Sequence, residues 1–233
     1  MQFRALYIVL TLLCFCPLAL AAGGKTGSAD LAAQVKNLQA QVAALEHQVQ
    51  INQDYLAIVN LQDAYGYYVD KCQWDQVADL FADDGTLEIA GRGVYVGQKR
   101  VREYLHHLPK FGYGQLFNHL QLQPVITIEP GGKTALARWR AVIQFGVLHK
   151  SAEWGEGTYE NEYVKQNGVW KIKKLHFYVT YYVNYYKGWD QGGTPPPPPI
   201  KGFPPDRAPT TDYKTYPDVF IPPYHYKNPV TGK

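Results

Sequence analysis

Two breaks divide the second half of this chain, and the second is a tight-turn signal. Pro130-Gly131-Gly132 and Asn167-Gly168 each interrupt long runs that read as β-strands. An Asn-Gly pair between two strand patterns is a strong hairpin signal, because both central residues of the turn take positive φ. Strands joined by tight turns pair antiparallel, so the segment is expected to form an antiparallel sheet. Ahead of it the pattern is helical: one helix running toward Asp70, a short one over Asp75 to Phe81 ended by Asp83-Asp84-Gly85, a short strand, and a third helix from Gly97 to Leu108. Helices first and an antiparallel sheet after them indicate an α+β domain over residues 51–187.

The flanks differ in kind. Residues 1–21 read as an export signal: Arg4 precedes the largely apolar Ala5 to Leu13, Pro17 breaks the run, and Ala19-Leu20-Ala21 offers a small-residue cleavage site. Pro17 and that tripeptide argue against an uncleaved anchor. The expectation is a periplasmic or secreted protein with no membrane attachment once the signal is removed. Cys72 would then be the only cysteine left, which excludes an internal disulfide and leaves stability to the core. Within residues 29–50, Leu31, Val35, Leu38, Val42, Leu45 and Val49 recur at spacings of four and three. Val at a and Leu at d favour a parallel two-stranded coiled coil, with a trimer as the alternative, so a homo-oligomer is expected. The same stripe is equally compatible with packing on the chain's own domain.

Residues 188–233 hold twelve of the sixteen prolines, including Pro195 to Pro199, yet also carry Phe203, Tyr213, Tyr216, Phe220, Tyr224 and Tyr226. Disordered segments are poor in aromatics, so the proline run reads as a stiff spacer and the rest as an extended arm. The arm is expected to close over a pocket or a neighbouring subunit. The net charge of +3 is too mild for a nucleic-acid surface, and Lys171, Lys173 and Lys174 read as solvated strand positions.

For chemistry, Asp70 and His119 stand out. An Asp and a His brought together in a pocket can abstract a proton without metal or cofactor, because the carboxylate fixes the imidazole tautomer and stabilises the imidazolium. Singly, Asp70 also suits a helix end and His119 a hydrogen-bonded core position. No metal site is expected: Glu153, Glu156, Glu160 and Glu162, with His149 nearby, lack a two-His-plus-carboxylate spacing on one face. Arg138 and Arg140 share a strand face and would stabilise an oxyanion if that face points inward.

Taken in order, Asp70-x-x-x-Trp74-Asp75, Leu80-Phe81-x-Asp83-Asp84-Gly85, Gly97 before a helix, His119, Gly157-x-Tyr159-Glu160-Asn161 and Gly168-Val169-Trp170-Lys171-Ile172 resemble the nuclear transport factor 2-like superfamily in its SnoaL-like branch. The resemblance implies a cone: a curved antiparallel sheet wrapped by three helices, with a deep apolar pocket at its open end. Cofactor-independent lyases of the superfamily, of the scytalone dehydratase, hexachlorocyclohexane dehydrochlorinase and bile acid dehydratase types, set an Asp near the end of the first helix with a His on a strand. Asp70 and His119 match those positions, and Tyr65 matches a Tyr five residues before the Asp of the bile acid enzyme. The resemblance therefore implies His119, Asp70 and Tyr65 as catalytic residues, with no cofactor; Tyr68, Trp74, Tyr95, Arg140 and Tyr159 are the candidate substrate-binding residues. Val69 and about Ile89 stand where scytalone dehydratase has water-holding tyrosines, so its identical reaction is not implied.

Two classes of function follow. One is a lyase acting on a small apolar, aromatic, hydroxylated compound by dehydration or by carbon–carbon cleavage such as loss of formaldehyde. The other is a non-catalytic small-ligand-binding or assembly module of the same fold.

Overall fold

A computed structural model describes residues 26–233, so the export signal read at residues 1–21 lies outside the described residues. The chain divides into a unit ending at His47 and a second unit, Gln48–Lys233. Helix α1 runs from Thr26 to Asp70. In its first part Leu31, Val35, Leu38, Val42 and Leu45 are all exposed, between 45% and 65%. In the second unit its buried face is Asp54, Ile58, Gln62, Tyr65 and Val69, spaced four, four, three and four as one side of a helix requires.

Asp54 accepts hydrogen bonds from Trp170 Nε1 at 2.9 Å and Lys165 Nζ at 2.6 Å, and Gln62 donates to Gln121 at 2.8 Å. These bonds fix how α1 lies across the sheet, because a buried polar group left unpaired is costly. The helix ends when Cys72 takes φ of 49°. Helix α2 then spans Trp74–Asp79, strand β1 Phe81–Ile89, a single 3-10 turn Ala90–Arg92, strand β2 Val94–Val96 and helix α3 Gln98–His106. Four long strands follow: β3 Gln115–Ile128, β4 Thr134–Val147, β5 Ser151–Gln166 and β6 Val169–Asn184.

Both breaks fall between strands, and the Asn-Gly one is a hairpin turn. Asn167 (φ 51°) and Gly168 (φ 80°) turn β5 into β6, and the Pro130-Gly131-Gly132 segment joins β3 to β4. The sheet is not wholly antiparallel, however. Its strand order is β2-β1-β6-β5-β4-β3, and β1 runs parallel to β6. Residue Phe81 belongs to β1 instead of ending α2, since the Leu80 carbonyl accepts the Ile172 N–H at 2.8 Å and draws the chain into the sheet. That pairing joins segments far apart in sequence, where no turn signal marks it.

Alternation along β4 defines the two faces of the sheet. Ala135, Ala137, Trp139, Ala141 and Ile143 are buried, while Arg138 and Arg140 point to the opposite, outer face. There Arg138 binds Glu160 and Arg140 Nη1 reaches Glu156 at 2.6 Å. Gly157 lets β5 and β6 close on each other at a register shift: a Cβ there would lie 2.4 Å from the Tyr178 carbonyl.

The proline-rich arm covers this outer face and the β2 edge. Phe203 stacks on Tyr95 with ring centroids 5.5 Å apart, and Arg100 binds Asp206 at 2.9 Å. Further on, Thr210 and Tyr213 bind Glu88, Phe220 stacks on Tyr178, and Arg138 donates to the Pro222 and Pro223 carbonyls while lying 3.8 Å from the Tyr224 ring centroid. Among the described residues, none of the arm lines the cavity. Apolar rings on the outer face of β6 are the surface it matches, so it closes over its own sheet instead of over the pocket.

Candidate active site

The inner face of the sheet, the pocket side of α1 and the end of α3 enclose a cavity of about 320 Å³. Tyr65 and Val69 reach it from α1, Leu87 and Ile89 from β1, Phe117 and His119 from β3, Phe145 from β4, Tyr159 from β5, and Phe177 and Tyr182 from β6. The wall is mostly apolar and aromatic, the composition expected of a small-molecule site. Trp74 lines it too, held by its Nε1–H donating to the Pro109 carbonyl at 2.9 Å.

Asp70 and His119 do come together, by an unexpected bond. Asp70 Oδ1 accepts the backbone N–H of His119 at 2.6 Å. The ring itself shares a hydrogen bond between Nε2 and the Tyr159 hydroxyl at 2.8 Å, and that hydroxyl lies 3.3 Å from the Tyr65 hydroxyl. Nδ1 is buried and has no hydrogen-bond partner. The carboxylate therefore fixes the strand position of His119 and does not hold its imidazole. Close approach makes this possible: a Cβ on Gly66 would lie 3.0 Å from the His119 carbonyl and 2.9 Å from Gln121 Cγ, so α1 can sit on β3 only with glycine there.

Burial sets the charge states. It pushes the His119 imidazole down to about 4, so the ring is neutral near pH 7. Burial raises the Tyr65 and Tyr159 phenols, which stay protonated and able to donate. The Asp70 carboxyl is raised by burial as well, against the opposing hydrogen bond from His119.

The histidine shift has a stability consequence. A group with a folded value near 4 against about 6.5 unfolded binds more protons when unfolded, so its contribution is complete above pH 6.5 and is lost as pH falls toward 4. His176, also lowered by burial, acts in the same direction. Urea unfolding is expected to show stability falling from pH 7 to pH 5, by roughly 1–2 kcal/mol for His119 alone. A flat profile would show that the ring is solvated.

The other residues singled out in the sequence divide. Tyr65, Trp74 and Tyr159 line the cavity; Tyr68, Tyr95 and Arg140 do not. Tyr68 packs against the core from the side of α1, one helical step off the cavity stripe. Tyr95 is fully buried between Tyr104 and Phe203, with its hydroxyl 3.3 Å from the Phe203 carbonyl. Arg140 lies on the outer face because its strand position has the wrong parity. Arg92, Tyr104 and Tyr182 line the cavity and were missed. For Arg92 the only local signal is its place between Gly91 and Gly93 just past a strand. Among the described residues, no group of three or more His, Cys, Asp or Glu is arranged to hold a metal ion.

Residues 50–176 match the family model described as a SnoaL-like domain. Among solved structures, a candidate scytalone dehydratase from Novosphingobium aromaticivorans is similar at TM-score 0.55 and 19% identity, over 66% of this chain and 97% of that one. A hexachlorocyclohexane dehydrochlorinase, type 3, from Novosphingobium barchaimii is similar at TM-score 0.53 and 19% identity, over 59% of this chain and 93% of that one. At those identities the likeness shows the fold alone. The family match spans more than half of the sequence, from the pocket side of α1 into β6, and on that ground the chain belongs to the SnoaL-like domain family.

Proposed function

We propose that this protein is a cofactor-independent lyase for a small apolar, aromatic, hydroxylated compound, with His119 as the base. The observation that carries the reading is a neutral imidazole in the wall of an apolar cavity, hydrogen-bonded to a tyrosine that burial keeps protonated. In a dehydration, His119 takes a proton from carbon, the electron pair forms the double bond, and the neighbouring C–O bond breaks. The departing oxygen takes a proton from Tyr159 or Tyr65 and leaves as water, and the imidazolium returns a proton to the phenolate. Negative charge developing on the compound favours the imidazolium at the moment of transfer, which offsets the low basicity that burial imposes. Loss of formaldehyde starts instead with His119 taking the O–H proton of a hydroxymethyl group: the C=O of formaldehyde forms as the adjacent carbon–carbon bond breaks, that bond's electron pair forms the double bond as the neighbouring C–O bond breaks, and the departing oxygen takes a proton from Tyr159 or Tyr65, which the imidazolium replaces. Asp70 is a positioning residue in either case.

Incubating the purified protein with a panel of hydroxylated aromatic compounds, and following new alkene absorbance and released formaldehyde, tests the reading. Saturable binding without turnover across the panel would favour the non-catalytic module. Because the free enzyme's imidazole titrates near 4, kcat/KM is expected to hold from pH 7 to about pH 5 and to fall only as pH approaches 4. An acid limb near 6.5 would show that burial does not lower the titration of the base.

The exposed stripe of α1 supports assembly, since those apolar side chains are left in water in a single chain. Deleting residues 29–50 is expected to lower the mass measured by light scattering from a dimer or trimer to a monomer. An unchanged mass would end the coiled-coil assignment.

A further inference from the structure

Among the residues that line the cavity, Arg92 is the only one that carries a full charge near neutral pH. Its Nη1–H donates to the Tyr104 hydroxyl at 2.6 Å, and its neighbours Tyr104, Tyr182 and Tyr95 are phenols that burial keeps protonated and uncharged near pH 7. Among the described residues it has no carboxylate partner. By contrast, Arg100, Arg102, Arg138 and Arg140 each bind one or two carboxylates. A guanidinium partly withdrawn from water without a counter-charge carries a desolvation cost, and the fork still has donors on Nε and Nη2 to offer.

The turn that presents Arg92 is held from behind. Ala90 and Gly93 both take positive φ, a Cβ on Gly91 would meet the Pro197 carbonyl at 3.0 Å, and one on Gly93 would meet Pro205 at 2.6 Å. The arm thus fixes the turn, so the arginine is positioned before any ligand enters.

We infer that Arg92 is the anchor for a carboxylate on the cavity's ligand, which makes the compound a small hydroxylated aromatic acid. A phenol ionises near pH 10 and would be neutral at pH 7, whereas a carboxylic acid ionises near pH 4 and brings the missing charge. Its planar pair of oxygens also fits the guanidinium fork. The hydroxylated aromatic part of this assignment rests on the lyase reading; the carboxylate rests on Arg92.

The test compares vanillate, ferulate and p-coumarate with their primary amides, by isothermal titration calorimetry on the full chain at pH 7. At least one acid is expected to bind about 10-fold or more tightly than its amide. In Arg92→Gln the two should agree within about 2-fold, and Arg92→Lys, a point charge without the fork, should retain part of the preference. Should Arg92→Gln lose its native circular dichroism, the wild-type preference and the Arg92→Lys loss decide the matter. Equal affinities for acid and amide in the wild type, no binding by any probe, or a preference that survives in folded Arg92→Gln each overturn the anchor. Turnover of neutral aromatics without acid preference would overturn the anchor and leave the lyase reading standing. Acid preference without turnover would do the reverse.

Discussion

Replacing His119 by alanine is expected to lower turnover by roughly 10²-fold or more while leaving the fold intact. The side chain removed is the proposed base, but the bond that sets this part of β3 runs from the His119 backbone N–H to Asp70 and survives the change. Circular dichroism and urea unfolding should therefore stay close to wild type while the rate collapses. Asp70→Asn gives the complementary result. Its amide oxygen still accepts the backbone N–H, so most of the rate should remain, whereas a carboxylate that oriented the imidazole would be missed nearly as much as the histidine. Unchanged turnover in folded His119→Ala would remove the base assignment.

The largest stability effect is expected at Tyr213. Its hydroxyl donates to Glu88 Oε1 at 2.6 Å and meets His176 Nε2, so it joins two ionisable groups that are each 3% exposed beneath the arm. Tyr213→Phe leaves both without that partner and should cost about 1–3 kcal/mol. Tyr213→Ala also removes a ring packed against Tyr178 and Phe220, and should cost about 3–5 kcal/mol. Urea unfolding measures both, and hydrogen exchange should show the arm from Phe203 to Tyr226 losing protection first. If Tyr213→Ala unfolds like wild type, the arm is not fastened at this point.

Short-range chemistry accounts for what is legible in the sequence. The Asn167-Gly168 turn demands positive φ, the four-and-three stripe from Leu31 to Val49 demands a helix, and Gly97 marks the start of α3. Asp70 and His119 were singled out as a pair, and they do meet, although the bond between them goes through the backbone. An Asp can accept a backbone N–H or an imidazole N–H equally well, and nothing in its neighbours along the chain tells which will lie nearer.

What the sequence determined by itself, then, was the helices, the long strands, the breaks that join β3 to β4 and β5 to β6, and the family, because these depend on residues close together in the chain or on motifs in a set order. Only the tertiary structure decided that β1 runs parallel to β6, that Tyr95 is sealed between Tyr104 and Phe203, and that Arg138 and Arg140 face the arm while Arg92 faces the cavity. Each depends on which face of a strand or turn meets which distant segment. Alternation along β4 said that Arg138 and Arg140 share a face, but a pattern of period two is the same whichever face is inside, and packing against α1 and the arm made the choice.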